Sequence, residues 1–320
     1  MKKKAVFIQQ GNEDDIVTFH LPTIYQRNPF RLTLNTSLGI LSLVELREGA
    51  LPRMLLEAYF SAGETRILFP LLSHQQAQTS AYPQYAPHSV LYAHWYANGR
   101  PVTDEMIQWG HDRIQSALEA GILQTEVRVL RNTMTRIREK IGDFGMDVLP
   151  VLSRGYLLTG TGEVCPAADG IIRHIEALGR PDSVITTHTK LGTVTLMEPN
   201  RMIQRLLSIG EYRVFLALID AMPMVCPNEV LLANYTNTDG PVTLDEIDAA
   251  HTRLAAAAKA GEGEFVRAMR GVYSAVHDLR KKLEKLDLTI ALKTGVGYKL
   301  TFEETGGPSK PLSSSQIETE

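Results

Sequence analysis

A chain of 320 residues with 44% hydrophobic and 22% charged residues has the composition of a folded globular protein and the length for two modest domains. A net charge of −3 argues against a protein that coats nucleic acid regardless of sequence, so any nucleic-acid site needs a locally basic face. Two cysteines are too few for a disulfide framework, and the chain lacks both a signal-peptide core and an uninterrupted membrane-spanning run. We therefore expect a cytosolic protein with no membrane partner.

The first part of the chain predicts a small sheet followed by helices. Alternating apolar residues predict a hairpin of strands at 38–46 and 54–60. Ser61 and Glu64 have the spacing of a capping box, which predicts the start of a helix. Pro70 should bend this helix or end it early. A second helix is expected to follow it.

A third helix and then a basic helix come next. Thr103 and the acidic residues after it predict a helix at 103–120. Between Glu126 and Lys140, five cations accompany two anions, and apolar residues recur at helical spacing. These apolar residues are Leu130, Met134, Ile137 and Ile141. The spacing predicts an amphipathic helix with a basic outer face.

The same succession of patterns returns about 140 residues later. Five stretches of the first half are echoed in the same order in the second half. The pairs are 38–43 with 191–196, 63–66 with 210–213, 101–103 with 241–243, 137–141 with 279–283, and 154–159 with 296–301. Five ordered echoes predict two copies of one domain.

The repeat divides the chain into predicted segments. They are an amino-terminal extension at 1–31 (strand-bearing or a partly ordered arm), a first domain at 32–159, a linker at 160–187, a second domain at 188–302 and a disordered tail at 303–320. Within the linker a short helix is predicted at 167–178, ended by Gly179 and Pro181.

The second copy contains the counterparts of the elements predicted above. Strands are expected at 191–197 and 202–206, a capping box at Ser208 and Glu211, and an inserted helix at 243–260. The stretch 248–254 of this inserted helix could also serve as a recognition helix, but we rank it lower because no hairpin follows it and because Ala255–Ala258 offer nothing to bases.

The stretch 270–302 combines a second basic helix with a β-hairpin. Its apolar stripe consists of Val272, Val276, Leu279 and Leu283, and its opposite face carries Arg270, Tyr273, Ser274, His277 and Lys281. Between Glu264 and Lys285, six cations accompany three anions. A cationic helix followed by a hairpin is the arrangement with which a winged helix-turn-helix meets DNA, with the helix in the major groove and the hairpin on the neighbouring backbone.

The runs LRKKL at 279–283 and TGVGYKL at 294–300 resemble the C-terminal DNA-binding domain of OmpR/PhoB-type transcription regulators. The resemblance covers about 190–302 well and 37–159 more weakly, chiefly through the repeat. It implies an α+β fold of two tandem winged-helix domains, each with an N-terminal antiparallel hairpin sheet, a helical core with an extra inserted helix, and a C-terminal hairpin wing. The family's receiver domain has no room in 1–31.

The resemblance also implies roles for particular residues. Arg128 and Arg270 match the arginine at the start of the family's recognition helix, and Arg138 and Arg280 match a late arginine that reaches the DNA backbone. The expected DNA contacts are Arg128, Arg131, Asn132, Thr135, Arg136, Arg138, Arg154, Arg267, Arg270, Tyr273, Ser274, His277, Arg280, Lys281, Lys293 and Thr294. The counterpart of Arg136 is Asp278, so the two helices are expected to read different half-sites.

The hypothesis is a sequence-specific double-stranded DNA-binding transcription regulator. We expect no enzymatic activity and no cofactor, because the sequence contains no HExxH run, nucleophile elbow or paired cysteines. One alternative is a plasmid or phage replication initiator, and another is a protein-interaction module built from degenerate winged helices. The inserted helices would either enlarge each core or form a partner surface for RNA polymerase or for the other copy. Besides double-stranded DNA, RNA polymerase or another regulator is the further candidate partner.

Overall fold

The computed structural model describes residues 15–21, 24–25, 30–47, 49–76, 85–152, 154–161, 163–168, 171–176, 183–198, 201–237 and 241–302. The predicted arm before residue 15, the predicted tail and the predicted helix end at Gly179 and Pro181 lie outside the described residues. Contacts group the chain into two compact units, and each is described separately. Unit 1 comprises Met1–Glu176 and Asp182–Leu207, and unit 2 comprises Ala177–Pro181 and Ser208–Glu320.

Unit 1 begins with a four-stranded antiparallel sheet. Its strands follow one another in space as they do in sequence and are β1 (Ile16–Phe19), β2 (Phe30–Asn35), β3 (Ile40–Glu45) and β4 (Arg53–Tyr59). The β3–β4 pairing confirms the predicted hairpin. Because β1 pairs with β2 through its whole length, the predicted amino-terminal extension contributes a strand to this sheet.

The helical part of unit 1 has the predicted order. Its elements are α1 (Ala62–Gln76), β5 (Ala86–Pro87), α2 (His88–Ala97), α3 (Asp104–Glu119), α4 (Leu123–Glu126), α5 (Arg128–Ile141), β6 (Met146–Val151) and β7 (Gly155–Gly160). The capping box is confirmed, since the Ser61 amide donates to Glu64 Oε2 at 2.8 Å and the Glu64 amide to Ser61 Oγ at 3.4 Å. Helix α1 runs through Pro70 to its end at Gln76, so the proline does not end it early.

The predicted apolar stripe of α5 lies in the core of unit 1. Leu130, Met134, Ile137 and Ile141 are all buried, and they share one cluster with apolar residues of α1, α2 and the first sheet. Burying this stripe stabilises the helix far more than its intrinsic propensity does, because short helices are marginal without tertiary packing. The opposite face of α5 is thereby left to solvent.

A second four-stranded antiparallel sheet completes unit 1. It consists of β8 (Ile172–Glu176), β9 (Val184–His188), β10 (Thr193–Met197) and β11 (Met202–Leu206), in spatial order β11-β10-β9-β8. The β10–β11 hairpin confirms the predicted pair of strands. The short helix predicted at 167–178 is wrong, because β8 occupies the centre of that stretch. Backbone pairing with β9 satisfies its polar groups, so tertiary context overrides the local apolar spacing.

The two sheets of unit 1 pack against each other. Val44 and Met54 of the first sheet contact Val184, Met197 and Met202 of the second. Apolar contact between the sheets therefore accounts for the grouping of β8–β11 with the preceding elements.

Glu57 of β4 adds hydrogen bonds to this contact. Its carboxylate accepts from Thr193 Oγ1 at 2.6 Å and from Gln204 Nε2 at 2.6 Å, both on the second sheet. Burial raises the pKa of Glu57, and the hydrogen bonds act in the opposite direction. The contacts group β9–β11 with unit 1, whereas the sequence pattern groups 188–302 into one domain.

Unit 2 repeats the helical part. Its elements are α6 (Ile209–Ala221), β12 (Cys226–Pro227), α7 (Asn228–Thr236), α8 (Leu244–Ala260), α9 (Glu262–Leu283), β13 (Leu288–Lys293) and β14 (Gly297–Phe302). Ser208 with Glu211, and Thr243 with Glu246, form complete capping boxes at α6 and α8. The apolar stripe Val272, Val276, Leu279 and Leu283 is buried as predicted.

Each unit contains a three-stranded sheet of the same topology. The spatial orders are β5-β7-β6 and β12-β14-β13, so the predicted hairpin is extended by one short strand from before the second helix.

The two basic helices begin at different distances from their arginines. Helix α5 begins at Arg128, while α9 begins at Glu262 and carries Arg270 in its third turn. The prediction that an arginine stands at the start of the recognition helix therefore holds for Arg128 and not for Arg270.

Candidate nucleic-acid interface

The solvent face of α9 carries the predicted polar stripe. Arg270, Ser274, His277 and Lys281 are exposed, and Tyr273 is half-buried beside them. Their spacing of four, three and four residues places them on the side of the helix opposite the buried stripe. Within the described ranges, Arg270 and Lys281 form no ion pair, so their charges project into solvent.

The solvent face of α5 has a comparable stripe with different side chains. Arg128, Arg131, Asn132, Thr135 and Arg136 are all exposed. Arg131 Nη1 donates to Gln124 Oε1 at 3.2 Å, and Thr135 Oγ1 donates to the Arg131 carbonyl at 3.2 Å. In the part of the chain that the structure describes, Arg128 and Arg136 form no ion pair. Both helices therefore present unneutralised cations beside hydrogen-bonding side chains.

Arg138 connects α5 to its hairpin. Its Nε lies 2.5 Å from Asp147 Oδ1 and its Nη2 lies 2.8 Å from Asp147 Oδ2, a bidentate pair with the first strand of the hairpin. The hydrogen bonds from Arg138 lower the pKa of Asp147. Nothing in the local sequence distinguishes Asp147 from other surface acids, and sequence reasoning missed it.

Arg280 makes the corresponding connection in unit 2 by different chemistry. Its Nε donates to the Ile290 carbonyl of β13 at 3.0 Å, and its guanidinium lies 5.7 Å from the ring centroid of Tyr298 in β14. The resemblance implies that both late arginines reach the DNA backbone, and in the structure each of them also binds the hairpin beside its helix. These contacts fix the angle between helix and hairpin.

The last lysine of each basic helix binds inward. Lys140 Nζ lies 2.7 Å from Glu64 Oε2, and Lys282 Nζ lies 2.7 Å from Glu211 Oε2. Each glutamate is also the capping-box residue of the first helix in its unit. Burial alone would raise the pKa of Glu211, but the hydrogen bonds from Lys282 and the Ser208 amide outweigh it and lower the pKa. Neither lysine therefore contributes to the positive charge on the solvent face of its helix.

Replacing Lys282 with methionine should destabilise unit 2 by about 1–3 kcal/mol, because Glu211 would keep its buried position without its counter-ion. Lys282 is partly exposed, so solvent screening keeps the loss below that of a fully buried pair. The pair contributes stability above the unfolded glutamate pKa of about 4.3 and loses it as the pH falls through the depressed folded pKa. Urea denaturation at neutral and acidic pH measures both effects.

Lys285→Met supplies the matched control, since Lys285 is exposed at the same end of the helix. The acid-dependent loss of unfolding free energy should be smaller in Lys282→Met than in either the wild-type chain or Lys285→Met. Equal stability and equal pH dependence of the two variants would contradict this role of Lys282.

The glycine of each glycine-tyrosine pair allows the hairpin to join its third strand. A Cβ on Gly155 would lie 2.0 Å from the Ala86 carbonyl oxygen, and one on Gly297 would lie 2.0 Å from that of Cys226. Only glycine therefore permits β7 and β14 to approach β5 and β12. This close approach explains why a glycine precedes the tyrosine in the hairpin of both units.

The hairpin turns bring the remaining predicted contacts to the surface. Arg154 and Thr294 are exposed in the turns that join the hairpin strands, and Lys293 is exposed as the last residue of β13. Arg267 is also exposed, but its Nη1 binds Glu264 Oε1 at 2.8 Å one turn away on α9. Its charge is therefore partly offset at the surface.

No group of three or more histidine, cysteine, aspartate or glutamate side chains within the described ranges could hold a metal ion. No helix among the same residues is long and apolar enough to span a bilayer.

No family model matches the chain, and no curated protein matches it. One solved structure similar to it is the crystal structure of the response regulator AdeR DNA-binding domain in complex with an intercistronic region. The two are 23% identical over 37% of this chain and 93% of that chain, with a TM-score of 0.24.

Proposed function

We propose that the chain is a sequence-specific double-stranded DNA-binding transcription regulator with two winged-helix domains in tandem. Helices α5 and α9 enter the major groove as recognition helices, and the hairpins lie on the adjoining backbone. The observation that carries the proposal is the combination, in each unit, of a cationic helix face and a hairpin anchored beside it. The domains are assigned to 32–159 and 188–302.

Electrostatics supports the proposal. The whole chain carries a net charge of −3, whereas Arg128 and Arg136 of α5 and Arg270 and Lys281 of α9 are exposed and, among the described residues, form no ion pair. Such a local concentration of positive charge on a weakly acidic protein favours groove binding at chosen sites over coating of nucleic acid.

The two helices present different base-reading groups. Arg131 and Asn132 of α5 stand where α9 has Tyr273 and Ser274. Arginine pairs well with the guanine edge and asparagine with the adenine edge, and each such contact discriminates by about 1–3 kcal/mol. We infer that the two half-sites differ in sequence, so the full operator is not a simple repeat.

The inserted helices serve packing in this proposal. In α3, a Cβ on Gly110 would lie 2.6 Å from the Ser89 carbonyl oxygen of α2, which shows how closely the two helices approach. In α8, Ala250, the residue that aligns with Gly110, is also buried. Small residues at this position let each inserted helix lie against its neighbour.

Binding of the full chain to duplexes selected from a random-sequence pool tests the proposal. Two half-sites centred about one helical turn (~10 bp) apart are expected. The logarithm of affinity should fall linearly with the logarithm of salt concentration, with a slope of about −0.9 for each phosphate that the protein neutralises. Absence of duplex binding even at low salt would overturn the proposal. Mapping of bound genomic sites then separates a regulator, with sites at promoters, from an initiator, with clustered sites at an origin.

A further inference from the structure

Two glycines of unit 2 lie against the same aromatic ring. A Cβ on Gly271, in the third turn of α9, would lie 2.4 Å from Tyr235 Cε1 and 2.7 Å from Tyr235 Cζ. A Cβ on Gly210, in the first turn of α6, would lie 2.9 Å from Tyr235 Cε2. The half-buried Tyr235 ring, near the end of α7, therefore fills the space between the first turn of α6 and the middle of α9.

The closeness of this ring explains a glycine inside a long helix. Apart from proline, glycine is the least favourable residue in a helix interior. Any side chain at position 271 would have to push the ring of Tyr235 toward Gly210, where the backbone of α6 leaves it little room, or push α9 outward. The ring and the bare backbone of α9 therefore fit each other as a spacer and its seat.

This contact lies at the level of the predicted recognition residues. Arg270 immediately precedes Gly271, and Ser274 follows one turn later on α9. Both are exposed, whereas Val272 between them is buried. Because a helix is stiff over one turn, a shift of the backbone at Gly271 moves the two exposed side chains with it. Base reading requires such side chains to be held to within about 0.5 Å by the residues packed behind them.

The other end of α9 is anchored by separate contacts. Lys282 binds Glu211 at 2.7 Å, and Arg280 binds the Ile290 carbonyl of the hairpin at 3.0 Å. These contacts fix the carboxyl-terminal end of the helix. Tyr235 is the contact that fixes the part of α9 that carries Arg270.

Unit 1 seats its basic helix with different residues. Aligned by the repeat, Trp95 corresponds to Tyr235, and it too lies on a glycine of the first helix, since a Cβ on Gly63 would lie 2.8 Å from the indole Cζ3. The counterpart of Gly271, however, is Val129, so α5 offers no bare backbone to the ring. The contact of the ring with the first helix is therefore common to both units, and its contact with a glycine of the basic helix belongs to unit 2.

We propose that Tyr235 is a positioning residue, which sets the distance and the tilt at which α9 presents Arg270 and Ser274 to the duplex. The inference rests on the proposed function and adds that the ring of Tyr235 determines how sharply unit 2 distinguishes one base pair from another. The hydroxyl group is not needed for this role. Because α5 is seated by other residues, the effect is confined to the half-site that unit 2 reads.

The test uses the tightest duplex that the wild-type full chain selects from a random-sequence pool, with single base-pair substitutions across both half-sites. Each substitution at a contacted pair should weaken binding of the wild-type chain about tenfold. The half-site of unit 2 is the one at which Arg270→Ala reduces this factor. Tyr235→Leu and Gly271→Ala should each reduce the factor there to about twofold and leave the other half-site unchanged. Tyr235→Phe keeps the ring and should discriminate as the wild-type chain does.

A double variant and a control complete the series. Tyr235→Leu combined with Gly271→Ala should lose no more discrimination than either change alone, because both act on one contact. Gly263→Ala is the control, since a Cβ on Gly263 of the same helix would meet no atom within 4 Å, and it should behave as the wild-type chain does. If Tyr235→Leu does not fold, Gly271→Ala and Tyr235→Phe decide the question between them.

Three results would count against these proposals. A uniform loss of affinity in the variants, with every ratio between selected and substituted duplexes unchanged, would show that the contact only stabilises unit 2 and would overturn the inference. Loss of discrimination in Tyr235→Phe would assign the effect to the hydroxyl group and would overturn it as well. A wild-type chain that binds no duplex at all would instead refute the proposed function.

Discussion

The double variant Arg270→Ala and Lys281→Ala should bind the selected duplex about 100-fold more weakly than the wild-type chain. Both cations are exposed on α9 and, among the described residues, unpaired, so each is available to a phosphate or a base edge. Each contact is taken at the lower part of the range of roughly 1–3 kcal/mol, about 1.4 kcal/mol, and two such losses give this factor. If both contacts are to phosphates, the slope of the logarithm of affinity against the logarithm of salt concentration should also become less steep by about 2. Fluorescence anisotropy over a salt series measures both quantities.

Lys259→Ala is the matched control for the double variant. It removes an exposed cation from α8 in the same unit, outside the recognition face. The unfolding free energy of all three proteins should agree within about 0.5 kcal/mol, because exposed residues contribute little to stability. An unchanged affinity of the folded double variant would show that α9 is not a recognition helix.

Gly297→Ala should lower the unfolding free energy of unit 2 by about 2–4 kcal/mol. The new methyl group would lie 2.0 Å from the Cys226 carbonyl oxygen and 2.9 Å from the carbonyl carbon. These are backbone atoms of β12 and cannot rotate away, so the hairpin must separate from its third strand. Denaturant titration of the purified variant measures the loss, and Gly155→Ala is expected to have the same effect in unit 1.

Gly263→Ala separates this steric effect from the general effect of replacing glycine. Gly263 lies in the first turn of α9, and a Cβ there would meet no atom within 4 Å. Because glycine is about 1 kcal/mol less favourable than alanine in a helix, this control should be neutral or slightly stabilising. If Gly297→Ala were as stable as Gly263→Ala, the glycine of the motif would have no steric role.

Several elements were predictable because the interactions that form them are local. The capping boxes at Ser61 and Ser208 depend on residues three apart, and the buried stripes of α5 and α9 depend on helical periodicity. The hairpin β13–β14 follows from its turn and its alternating strands. The short strands β5 and β12 were missed, because two residues carry no pattern and form a strand only through their partners.

The sequence was sufficient to predict the two basic helices and the hairpin that follows each of them, because side-chain spacing along the chain encodes them. It could not distinguish outward-facing cations from those that bind inward. Lys282 meets a glutamate 71 positions away, and Arg138 and Arg280 bind their hairpins through unrelated groups. Tertiary structure alone decided these roles, and it also placed β8–β11 against the first sheet, because such contacts join surfaces that are distant in sequence.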